Sequence, residues 1–259
     1  MAAAGLATNR EPDLLEATEP PEARGLRRDE VKLLVSTVDT GAIEHARFHD
    51  LPHWLSAGDV LVVNTSGTMK AAVAATGEDG RQFELHLSTM LPGGFWTVEV
   101  RQSANGASVP YQHASAGAIF ALPCDGRATL LAPYPFTGSL KSPSRLWIAG
   151  LQLPHPVVEY LEKHGFPIRY GYVRRPWPNS MYQTVFATEP GSAEMPSAGR
   201  PFTPELLTRL VSRGVQIAPL LLHTGVASLE KHEPPYEERY RVSRQTAALV
   251  NAARRSTGA

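Results

Sequence analysis

Between residues 70 and 150 apolar residues recur at every second position in short runs, and this period of two is what most constrains the fold. In QFELHL (82–87) Phe83, Leu85 and Leu87 alternate with polar residues, and after Pro92-Gly93-Gly94 the run FWTVEVR alternates through Trp96, Val98 and Val100. A strand sends successive side chains to opposite faces, so such runs bury one face each. GAIFAL (117–122), RATLLA (127–132) and RLWIA (145–149) read the same way, separated by Gly, Pro and Ser. The spacing predicts an all-antiparallel unit, a small barrel or sandwich, inserted at 70–150.

The flanks carry other periods. LLVS (33–36) and AIEHARF (42–48) read as two strands around the turn Asp39-Thr40-Gly41, and a helical or turn segment with Trp54 and Leu55 follows. DVLVVN (59–64) reads as a buried strand that delivers the polar loop Asn64-Thr65-Ser66-Gly67. Beyond 150 the period lengthens. VVEYLEKHG (157–165) is a short helix stopped by Gly165 and Pro167. Thr203-Pro204-Glu205 caps a better one, with Leu206, Leu207, Leu210 and Val211 on one face before Gly214. VQIAPLLLH (215–223) is a core strand, and Ser243 opens a last helix whose Ala247, Val250 and Ala253 face the core. The expected class is α+β: a flexible N-terminus over 1–23, a mixed core from 24–69 and 151–259, and the β unit between them.

No stretch reaches the ~18 to 20 apolar residues of a membrane helix, and the N-terminus lacks a basic segment leading into an apolar run, so a cytoplasmic location is expected. The single Cys124 has no Cys or His neighbours at zinc spacing and is expected to be a buried or half-buried inert thiol. Lys plus Arg equals Asp plus Glu, 25 against 25, so any nucleic-acid binding must rest on a local patch. Arg239, Arg241, Arg244, Arg254 and Arg255 form one candidate, and Arg169, Arg174 and Arg175 a second.

Glycine fingerprints for nucleotides, a P-loop, a GxSxG elbow and zinc patterns do not occur. His45, His49 and His53 have helical metal-ligand spacing, but Ile43, Phe48 and Pro52 make the segment strand and turn, so no metal is expected there. More informative are polar clusters beside core elements: Asn64-Thr65-Ser66, Tyr182-Gln183-Thr184, Pro196-Ser197-Ala198-Gly199 and His223-Thr224-Gly225. They read either as loops feeding one pocket or as turn and capping residues.

VKLLV, FHDLPHWLSAGDVLVVNTS (48–66), WTVEVR (96–101), YQTVFA (182–187), PSAG (196–199) with Phe202, LLHTG (221–225) and ERYRV (238–242) occur in the order and spacing of one family. The chain resembles the S-adenosylmethionine:tRNA ribosyltransferase-isomerases of queuosine biosynthesis. The resemblance implies a distorted α/β barrel-like core with a small β-barrel insert. It also implies S-adenosylmethionine as ribosyl donor to 7-aminomethyl-7-deazaguanine in tRNA, giving epoxyqueuosine and releasing adenine and methionine. It points to His223 as the catalytic residue, since only its unperturbed pKa of ~6.5 suits proton transfer near neutrality. Substrate contacts are expected from Asn64, Thr65, Ser66, Tyr182, Gln183, Ser197, Ala198, Gly199, Gly225 and Arg239.

The chain departs from the family pattern in four places. Gly67 and Ala72 stand where the family has arginines, Arg200-Pro201 where it has Leu-His, and Tyr236 where it has histidine. Family members also continue past the last helix into a further strand with a Gly-Thr-Thr motif, so residues 215–222 are expected to show an open edge. Together these imply that the chain as given does not catalyse the family reaction. A relative that binds RNA, a protein partner or S-adenosylmethionine without this catalysis is the alternative.

Overall fold

A computed structural model describes residues 17–104, 107–135, 144–169, 171–173, 175–226 and 236–257. Most of the expected flexible N-terminus, residues 1–16, lies outside them. Single 3₁₀ turns at Pro21–Arg24 and Arg28–Glu30 lead into the hairpin of β1 (Lys32–Ser36) and β2 (Ile43–Arg47), and a third 3₁₀ turn covers Phe48–His53. Then come β3 (Val60–Asn64), β4 (Ser66–Thr68), β5 (Ala72–Gly77), β6 (Gln82–Met90), β7 (Trp96–Ala104), β8 (Ala107–Pro110), β9 (Ile119–Leu122), β10 (Gly126–Tyr134) and β11 (Leu146–Gln152). Helix α1 (Val157–His164), β12 (Gly165–Phe166), β13 (Glu189–Ser192), α2 (Pro204–Ser212), β14 (Gln216–His223), β15 (Arg239–Val242) and α3 (Arg244–Thr257) complete the order.

The alternating segment closes on itself. Strands run β11-β10-β9-β5-β6-β7, and β7 pairs back onto β11, giving a closed antiparallel barrel of six strands. Closure pairs the backbone edges that such short strands would otherwise expose. The apolar positions of each strand fill the centre, with Leu85, Leu87, Val98, Val100, Leu130 and Trp147 all buried in one cluster. Helix α1 joins that cluster through Tyr160 and Leu161, and the Tyr160 hydroxyl donates to the Pro123 carbonyl at 2.6 Å. Gly165 ends α1 as expected but continues as β12 onto β5. Cys124 corrects the sequence reading: it is exposed, in the turn joining β9 to β10, where Cys124 and Asp125 both take positive φ (51° and 59°). Tight hairpins use that backbone twist, and it turns the thiol outward.

The mixed core is a three-stranded sheet, β15-β14-β3, with β14 parallel to β3 and antiparallel to β15. Alternation along β3 assigns its two faces. Leu61 and Val63 meet α2, whose Leu206 and Leu210 are buried with Phe186, Phe202 and Val215. Burying each of those leucines contributes about 1.5–3 kcal/mol, and Thr203 caps the helix by accepting from the Leu206 N–H at 3.1 Å. Val60 and Val62 face Val250 and Ala253 of α3.

Three expectations change here. β14 is the central strand, so the open edges among the described residues belong to β3 and β15, and Val62 of β3 is 45% exposed. β3 is therefore not the buried strand its composition suggests. In α3 Thr246 is buried and Ala247 exposed, because the Thr246 hydroxyl donates to the Pro219 carbonyl at 2.6 Å and sets the helix rotation. No described helix is long and apolar enough to cross a membrane.

Candidate functional site

Where β3 ends, the chain turns through Thr65 into β4, which pairs in parallel with β13. Asn64 holds this turn against β14: its amide donates to the Leu222 carbonyl at 2.8 Å, and its oxygen accepts from the Leu222 and Ser66 N–H groups, each at 3.0 Å. The Thr65 hydroxyl donates to the Leu220 carbonyl at 3.0 Å. Gln183 acts alike one step further on, accepting from the Thr68 N–H at 3.0 Å and donating to the Thr68 carbonyl at 2.7 Å. These three predicted binding residues spend their polar groups on backbone.

Ser66 has a different set of partners. Its hydroxyl lies 2.6 Å from the Ser192 hydroxyl and 2.7 Å from His223 Nδ1, and Ser192 accepts from the Thr224 N–H at 3.1 Å. Both serines are buried, at 1% and 0% exposure. Thr224 N–H donates to Ser192. The arrangement that gives both serine hydroxyls an acceptor then runs from Ser192 to Ser66 and from Ser66 to His223 Nδ1, with the ring hydrogen on Nε2. Burial is the main cause that pushes His223 below the ordinary histidine range; Glu189 opposes this, and Arg239 and Arg241 add to it. Glu189 Oε1 lies 3.9 Å from Nε2, beyond hydrogen-bond reach, and Glu189 Oε2 is held by Arg241 at 2.7 Å. Arg239 stands opposite His223 in the β14–β15 register.

The imidazole lies against the backbone of β13. A Cβ on Gly191 would sit 2.6 Å from His223 Nε2 and closer still to Cε1 and Nδ1, so only glycine admits the ring. Gly225 is similarly constrained by the Ser88 hydroxyl, and its N–H donates to Glu238 at 2.9 Å.

A cleft of about 410 Å³ opens next to this network. Thr68, Tyr182 and Ser197 line it, together with the chain entering at 17–31 and the segments 167–182 and 193–201. His223, Asn64, Thr65, Ser66, Gln183, Ala198, Gly199, Gly225 and Arg239 do not line it. Ala198 is exposed on the 3₁₀ turn Ser197–Gly199, and Gly199 packs on Thr184. The polar clusters thus divide into a buried relay ending at His223 and a cleft alongside it. The sequence reading missed Ser192, Gly191 and Glu189, which flank no apolar run, and Trp177, isolated between prolines. In the second arginine group Arg175 lies over the Trp177 ring at 4.1 Å, while Arg174 lies outside the described residues. In the first group Arg244 and Arg254 are separated by ten residues of α3, ~15 Å of helix, so the five arginines form two patches.

The family model described as "Queuosine biosynthesis protein" matches residues 10–259. The S-adenosylmethionine:tRNA ribosyltransferase-isomerase of Moorella thermoacetica is 35% identical over 237 residues, covering 88% of this chain and 65% of the relative. That of Thermotoga maritima is 32% identical over 251 residues, covering 94% and 68%. A crystal structure of S-adenosylmethionine tRNA ribosyltransferase from Thermotoga maritima aligns at 25% identity over 95% of this chain and 64% of that one, with a TM-score of 0.37. The chain spans about two thirds of the length of these relatives.

Proposed function

Because the chain belongs to the queuosine biosynthesis protein family, we propose that it carries the family's ribosyl transfer, from S-adenosylmethionine to 7-aminomethyl-7-deazaguanine in tRNA. The match over residues 10–259 carries the reading, since it takes in the barrel, the core sheet and the His223 relay. The reaction needs a base for the carbon next to the sulfonium and a setting that shields the charged sulfur from water. His223 is the proton-transfer residue in this reading, and the lowering of its pKa by burial keeps it unprotonated at neutral pH. To accept at Nε2 the relay must run in reverse, with Nδ1–H donating to Ser66 and Ser66 to Ser192. Reversal leaves the buried Ser192 hydroxyl without an acceptor, at a cost of about 1–3 kcal/mol, so the basic tautomer is a minority form. Of the predicted contacts Tyr182 and Ser197 line the cleft, beside Thr68.

tRNA is the macromolecular partner in this reading. Arg239 and Arg241 are exposed on β15, where Arg239 stands opposite His223, and Arg244 is exposed at the start of α3; these would meet its phosphates. The test is adenine release from S-adenosylmethionine by purified protein, with and without tRNA carrying the deazaguanine. Dependence on that tRNA, with methionine as coproduct, is expected; S-adenosylhomocysteine instead would mean methyl transfer and overturn the reading.

A further inference from the structure

The barrel meets the His223 network at a fault in its own ladder. Along β6 and β7 Leu87 stands opposite Val98 and Met90 opposite Trp96, so Ser88 and Thr89 together face Thr97 alone. Two residues against one make a β-bulge. The buried Thr97 hydroxyl holds it, accepting from the Thr89 N–H at 2.9 Å and donating to the Thr89 carbonyl at 3.2 Å. A regular strand would send Ser88 and Thr89 to opposite faces. Here both hydroxyls approach Gly225, to 2.7 and 3.1 Å from where a Cβ would stand. Bulges re-aim side chains in this way at barrel rims and beside active sites.

The segment these hydroxyls meet is the loop that leaves His223. β14 ends at His223, and the next three N–H groups are each taken by a side-chain oxygen from a different part of the fold. Thr224 N–H donates to Ser192 of β13 at 3.1 Å, Gly225 N–H to Glu238, just before β15, at 2.9 Å, and Val226 N–H to Ser88 of the barrel at 2.9 Å. The first of these bonds starts the hydroxyl chain that runs through Ser192 and Ser66 to the imidazole. The third ties that start to the bulge two residues away. Ser88 and Val226 are both buried, so water is no ready substitute for the serine as acceptor.

We propose that the bulge is a positioning device for His223, with Ser88 and Thr97 as its positioning residues: the barrel fixes Val226, and through it Thr224 and the Ser192–Ser66–His223 chain. Resting on the function proposed above, this gives the barrel a part in the chemistry although no barrel residue belongs to the relay. Both residues act through the loop and not on the reacting atoms.

The experiment compares Ser88→Ala, Thr97→Val and Thr97→Ser with Tyr160→Phe, which removes a hydroxyl bond elsewhere in the barrel. Two readouts are taken on the full chain. One is the pH titration of the His223 ring nitrogens by ¹⁵N NMR, assigned by their loss in His223→Ala. The other is kcat and KM for adenine release from S-adenosylmethionine in the presence of tRNA carrying the deazaguanine. Burial is the main cause that lowers the His223 midpoint, and Glu189, Arg239 and Arg241 are the charged groups around it. A loosened loop admits water, so Ser88→Ala and Thr97→Val are expected to move that midpoint up toward the ordinary histidine range. The same variants are expected to lower kcat about tenfold or more, with KM changed less than about twofold. Thr97→Ser keeps the hydroxyl and should match the parent, as should Tyr160→Phe. Should Ser88→Ala not fold, Thr97→Val carries the test. Unmoved His223 signals in the folded variants overturn the positioning role and leave the proposed reaction standing. An equal shift in Tyr160→Phe also overturns it, since any loosening of the barrel would then suffice. A parent that releases no adenine overturns the reaction instead, while the imidazole signals still decide the role of the bulge.

Discussion

Replacing Gly191 by alanine tests the relay without touching a member of it. The new Cβ would lie 2.6 Å from His223 Nε2 and nearer to two other ring atoms, whereas carbon contacts settle at about 3.5–4.0 Å. The ring must therefore move by about 1 Å, which breaks the 2.7 Å bond to Ser66. A buried Ser66 hydroxyl left unpaired costs about 1–3 kcal/mol and overpacking a further 1–3, so the expected loss is about 2–5 kcal/mol. Backbone strain is not the cause, since Gly191 is not among the glycines with positive φ. Urea unfolding of Gly191→Ala, His223→Ala and the double variant measures the loss and its origin. With the imidazole gone, the Gly191→Ala penalty should fall below about 1 kcal/mol. An equal penalty in both backgrounds, or none in either, would refute the placement of the ring.

Gln183→Ala removes both amide bonds to the Thr68 backbone and should cost about 1–3 kcal/mol of stability, read in the same unfolding experiment. Glu99 is buried in the barrel with Arg101 at 2.7 Å and Arg145 at 3.4 Å, so Glu99→Ala leaves uncompensated charge and should cost about 3–5 kcal/mol. His223 contributes a pH dependence of fixed sign. Its folded pKa is lowered, so the unfolded chain protonates first, and stability falls as pH drops through the ordinary histidine range toward the lowered value. Urea midpoints against pH should show that fall in the parent and lose this component in His223→Ala.

The barrel was legible because a period of two is a local signal, and five runs of it leave little choice but an antiparallel unit. The relay was legible in part: strand ends carry polar loops, Ser66 follows the end of β3 and His223 ends β14, yet Ser192 reaches them through a parallel pairing with no sequence signature. Asn64 and Gln183 have the residue types of ligand contacts, but an amide next to unpaired backbone satisfies that backbone first. The cleft lining includes Pro20, Pro21, Pro167 and Pro201, which interrupt any period that could announce it. In α3 the apolar pattern chose Ala247, while a threonine hydroxyl bonded to Pro219 decided the buried face.

The most direct test of the account follows the carbon atoms of the donor. S-adenosylmethionine labelled with ¹³C in the ribosyl group is incubated with the protein and tRNA carrying 7-aminomethyl-7-deazaguanine, and the digested nucleosides are weighed by mass spectrometry. The account predicts the whole labelled ribosyl unit on the deazaguanine nucleoside, matched by released adenine and abolished in His223→Ala. Labelled donor consumed with no label on the tRNA, or label transferred equally well by His223→Ala, would contradict it.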